Sequence, residues 1–95
     1  MKNKLSLADQ QKLVSKLLKI DINLVKKVSF VFPKTDILIV MITEDYKEIY
    51  EGYKGGIRLL VNNNGEVLFC SSTAMSNNEL LEAFKNGKRT PIDSF

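Results

Sequence analysis

The chain has 95 residues, of which 44% are apolar and 26% charged. That length fits one domain spanning 1–95, and the apolar fraction excludes a disordered chain, which cannot bury enough surface to offset its ordering entropy. A single cysteine, Cys70, and no histidine exclude an internal disulfide, Ser-His and Cys-His nucleophile pairs and the usual structural zinc sites.

The net charge of +3 is unevenly placed. Residues 1–34 carry eight lysines against Asp9 and Asp21, whereas residues 35–66 carry six acids against Lys47, Lys54 and Arg58. The N-terminus starts basic like a signal peptide, but Asp9, Gln10, Gln11 and Lys12 interrupt it before an apolar core develops. The longest apolar run, Ile37 to Ile42, has six residues, far short of a membrane span. A domain this small without disulfide staples points to a reducing cytoplasm.

Ser6 is placed to cap a helix over Leu7 to Lys19, with Asp9 in its first turn. Leu13, Val14, Leu17 and Leu18 form its apolar stripe, and Lys12, Lys16 and Lys19 lie off that stripe. A connection over Ile20 to Leu24 follows. Val28, Phe30 and Phe32 then alternate with Lys27, Ser29 and Val31, which predicts a half-buried strand. Pro33 to Asp36 makes a turn. Ile37 to Ile42 is apolar on both faces, as in a central strand covered on each side.

Tyr46 to Tyr53 fits a strand or a helix. The frequent aromatics and the nearby Gly52 favour a strand. Ile57 to Val61 and Glu66 to Ser71 predict a hairpin, with Asn64-Gly65 supplying positive φ at its tip. Ser76 and Glu79 make a capping box for a second helix with a Leu80, Leu81, Phe84 stripe, stopped at Gly87. The fold class is therefore α+β: a mainly antiparallel sheet of four to five strands packed by an N-terminal and a C-terminal helix.

Few residues are suited to catalysis. Cys70 lies in an apolar strand and reads as a small core side chain. Lys54-Gly55-Gly56 lacks the spacing of a phosphate loop, and Ser71-Ser72-Thr73 has no base beside it. The carboxylates around the three tyrosines have nothing to fix two of them opposite each other. No catalytic residue, metal ligand or cofactor is expected, so the chain reads as a binding module.

The stretch Glu44, Asp45, Tyr46, Glu48, Tyr50, Glu51 and Tyr53 is the candidate partner-binding surface. Tyrosine offers an apolar body with a polar tip, and acidic neighbours favour a basic partner. The competing surface is the set Lys12, Lys16, Lys19, Lys26 and Lys27, which suits phosphate contacts. No stacking aromatic accompanies those lysines in this reading.

The second half carries a resemblance: Gly56-Ile57-Arg58-Leu59-Leu60-Val61, then three asparagines and Gly65, then Glu66-Val67-Leu68-Phe69, a polar loop and a Glu-Leu-Leu helix. This resembles the small immunity proteins of bacterial polymorphic-toxin and contact-dependent-inhibition systems, especially the YrhB-like group, over about residues 37–91. The lysine-rich N-terminus is longer than that pattern requires. The resemblance implies a cytoplasmic antitoxin that binds and occludes a cognate toxin domain, often a nuclease, with no catalytic residues to transfer.

Overall fold

The computed structural model describes residues 4–42, 56–71 and 74–95. Two helices, α1 (Leu7–Leu18) and α2 (Ile22–Val28), precede strands β1 (Ser29–Val31), β2 (Leu38–Ile42), β3 (Ile57–Val61) and β4 (Val67–Cys70). Helix α3 (Asn77–Lys85) and a short 3-10 turn over Ile92–Ser94 follow. The strands form one antiparallel sheet in chain order, β1-β2-β3-β4. The class is α+β, with four strands among the described residues.

The two faces of the sheet have different covers. Leu38, Val40, Ile42, Ile57, Leu59 and Val61 meet Val14 and Leu18 of α1 and Val25 of α2. On the other face Ile39, Leu60 and Leu68 meet Phe32 and the α3 residues Leu80 and Phe84. This explains why β2 and β3 lack a polar alternation: each side chain of β3 is buried, and so are four of the five in β2. Burying one such side chain stabilises by about 1.5–3 kcal/mol before entropy is counted.

Local chemistry sets the helix ends. The Asp9 amide donates to Ser6 Oγ, and the Glu79 amide donates to Ser76 Oγ in a complete capping box. Helix α1 ends at Lys19, whose φ of 57° is left-handed. Residues 20–24 differ from the expected connection. Asp21 caps a second helix through its side chain, accepting from the Asn23 amide, and Val25 then inserts into the core.

Two further differences concern strands. Phe30 is exposed rather than inward: Phe32 joins the layer under α3, whereas Phe30 only meets the Phe32 ring edge-on at 5.7 Å. The hairpin tip carries Gly65 at positive φ as expected, in a loop one residue longer than Asn64-Gly65 alone. Gly65 donates its amide to the Asn62 carbonyl and has φ of 82°, and Asn62 pairs with Glu66 through the main chain. That is a three-residue loop closed by a glycine bulge. Asn62 Oδ1 holds it by accepting from the amides of Asn64 and Glu66. The possible fifth strand at Tyr46 to Tyr53 lies outside the described residues.

One buried polar side chain ties the layers together. Gln10 on α1 is buried, and its Nε2 donates to the carbonyls of Asp36 at 2.8 Å and Val61 at 3.0 Å. It therefore fixes α1 to the β1–β2 turn and to the end of β3 at once. Replacing Gln10 with Leu strands two carbonyl acceptors, at a cost of about 1–3 kcal/mol. The expected signature is a lower denaturant midpoint with an unchanged m-value. Gln10→Glu should lose at least as much, since an ionised carboxylate offers those carbonyls no donor.

Candidate functional site

Glu44, Asp45, Tyr46, Glu48, Tyr50, Glu51 and Tyr53 lie outside the described residues. What the structure fixes is where that segment is spliced into the fold. Among the described residues β2 ends at Ile42 and β3 begins at Ile57, and these two residues are paired. Both are buried to within 2% exposure. The segment thus departs from and returns to the two central strands at one end of the sheet.

A concavity of about 390 Å³ opens at the same end. Met41 of β2, Ile57 and Arg58 of β3, and Met75 and Asn77 at the start of α3 contribute to its lining. Arg58 is the only charged residue in β3 and is only 8% exposed. Burying a guanidinium is costly unless its donors find acceptors. Here its Nη1 donates to Asn77 Oδ1 at 3.2 Å, and Nη2 lies 4.0 Å from Cys70 Sγ. Asn77 Nδ2 in turn donates to Met41 Sδ at 3.4 Å. Arg58 therefore links β3, β4 and the first turn of α3 behind the junction that carries the acidic segment.

The sequence reading treats Arg58 only as a charge. Its position in Ile57-Arg58-Leu59-Leu60-Val61 was the available signal, because a charged residue inside a strand buried on both faces must find partners. Cys70 is half-buried and packs beside the Leu60, Leu68 and Phe84 cluster. Among the described residues, no three His, Cys, Asp or Glu side chains are placed to hold a metal ion. No helix of the described residues is long and apolar enough to cross a membrane.

The lysines form a second surface. Lys12, Lys16, Lys19, Lys26 and Lys27 are all exposed, on or just after two helices that cover the same sheet face. An aromatic does follow them: Phe30 is 46% exposed three residues after Lys27. The half-buried strand expected over Val28 to Phe32 does not single out Phe30 as a stacking aromatic for these lysines.

Asn77→Ala should destabilise the protein by about 1–3 kcal/mol, since it withdraws an acceptor from a buried guanidinium. The exposed neighbour Asn78→Ala should stay within about 0.5 kcal/mol, and paired thermal melts read the difference. Comparisons of the chain with protein-family models, with curated proteins and with solved structures find no match.

Proposed function

We propose that the chain is a cytoplasmic immunity protein that binds and occludes a cognate toxin domain, and that it is not an enzyme. The observation that supports this reading is the acidic, tyrosine-bearing composition of the segment that joins β2 to β3. Residues 44–53 are spliced between the paired ends of β2 and β3, the most deeply buried strands of the sheet. Binding surfaces are commonly carried on connections held by a rigid scaffold. Four carboxylates among three tyrosines supply the chemistry for a basic, phosphate-binding groove such as that of a nuclease. The resemblance to small immunity proteins points the same way.

The test uses the C-terminal domain of the large exported protein expected to be encoded immediately upstream. Glu44→Lys, Asp45→Lys, Glu48→Lys and Glu51→Lys are combined, and affinity is measured by calorimetry beside a thermal melt. Binding should weaken by at least about tenfold as close opposite charges become like charges, with the melt retained. Unchanged affinity in a folded quadruple variant rejects the acidic surface as the grip.

The five exposed lysines on α1, its C-cap and α2 support a second reading, a small nucleic-acid-binding or regulatory domain. Phosphate binding through them must weaken steeply with salt, because each neutralised phosphate releases counterions. A titration of single- and double-stranded oligonucleotides from about 50 to 200 mM salt should then show affinity falling by orders of magnitude. A flat response removes this reading.

A further inference from the structure

The two edges of the sheet are finished differently. At the β4 edge the chain covers itself. The Thr90 amide donates to the Val67 carbonyl at 2.8 Å, and Thr90 Oγ1 accepts from the Phe69 amide at 2.8 Å. Phe95 packs edge-on against Phe69, and Arg89 pairs with Glu66 at 3.3 Å while stacking over Phe84. The C-terminal segment thus acts as a strap along β4.

The β1 edge has no such strap among the described residues. The Phe32 amide donates to the Ile37 carbonyl. Hydrogen-bonded pairs alternate in an antiparallel ladder, so Phe30 faces β2 while Ser29 and Val31 turn their main-chain groups outward. Phe30 and Val31 are also 46% and 38% exposed, one on each face of the sheet. A strand added here would complete the ladder and cover both side chains.

Charge selects the occupant. The exposed Lys26 and Lys27 precede the strand, and the exposed Lys34 follows it, with φ of 61°. A second copy pairing Ser29 with Val31 would bring the Lys26-Lys27 end of each chain against the Pro33-Lys34 end of the other, so like charges would meet at both ends. We propose that the β1 edge is a docking site for an extended segment of another protein, apolar at its centre and acidic at its ends.

The probe is a synthetic peptide of alternating valine and threonine with two glutamates at each end, beside a control ending in lysines. The acidic peptide should bind at least about tenfold tighter than the control and slow hydrogen exchange at the Val31 amide. Val31→Pro removes an outward donor that the β2 ladder does not use, and proline is tolerated at such edge positions. It should abolish peptide binding while the thermal melt stays close to wild type. Should that variant fail to fold, Lys27→Glu with Lys34→Glu should invert the peptide preference instead. The proposal is overturned if the acidic peptide does not bind at millimolar concentration, or if Val31→Pro folds and still binds it. Self-association lost in Val31→Pro would assign the edge to a second copy instead. A single-stranded oligonucleotide that competes with the peptide and loses affinity in Phe30→Ala would assign the surface to nucleic acid.

Discussion

Strands β2 and β3 have almost no wet face, and the rest of the molecule is arranged to satisfy that constraint. Antiparallel strands can leave one face to solvent, but Ile39 and Leu60 point one way while Val40 and Leu59 point the other, and all four are fully buried. Two covers are then obligatory. Helices α1 and α2 supply one and α3 the other, so elements from opposite ends of the sequence close the two apolar layers on either side of one sheet. Covering both faces also makes any polar group inside the layers a liability unless it is paired. Gln10 and Arg58, the buried polar and charged residues among those described, are paired across elements, and each bond they make doubles as a positional lock.

Those locks sit at opposite ends of β3. Gln10 binds the Val61 carbonyl where β3 runs into the Asn62–Glu66 hairpin. Arg58 binds Asn77 where β3 emerges from the acidic connection. The strand is therefore tied to α1 at one end and to α3 at the other. The end that carries residues 44–53 is held by a polar contact to a capped helix as well as by packing.

Much of this fold is legible in the sequence because its signals are local. Ser6 with Asp9 and Ser76 with Glu79 announce helix starts through hydrogen bonds three residues long. The unbroken apolar run at Ile37 to Ile42 announces a strand with two covers. Helix α2 is hidden because its seven residues bury only Val25 and its capping Asp21 comes just two residues after a left-handed Lys19. The hairpin loop keeps Asn64-Gly65 at its tip but is one residue longer because the Asn62 side chain organises it, and three consecutive asparagines do not say which one opens the loop. The exposure of Phe30 is set by tertiary packing, which no local pattern encodes. The acidic candidate residues Glu44 to Tyr53 are legible as chemistry, and the strand ends that bracket them, Ile42 and Ile57, are legible from the apolar runs on either side.

The lysines around β1 serve two ends with one arrangement. An open sheet edge invites any exposed strand, including another copy, and short length, proline and lysine are the usual defences. Here β1 has three residues, Pro33 stops the ladder, and lysines stand before and after it. Like charge opposes self-pairing without closing the main-chain groups of Val31, so protection and recognition do not conflict. A neutral cover would block every partner, whereas positive charge excludes only those that carry the same sign. That is the physical reason for β4 to be strapped by its own chain and for β1 to be guarded by charge: a strapped edge is closed to all partners, and a charged edge remains open to an acidic one.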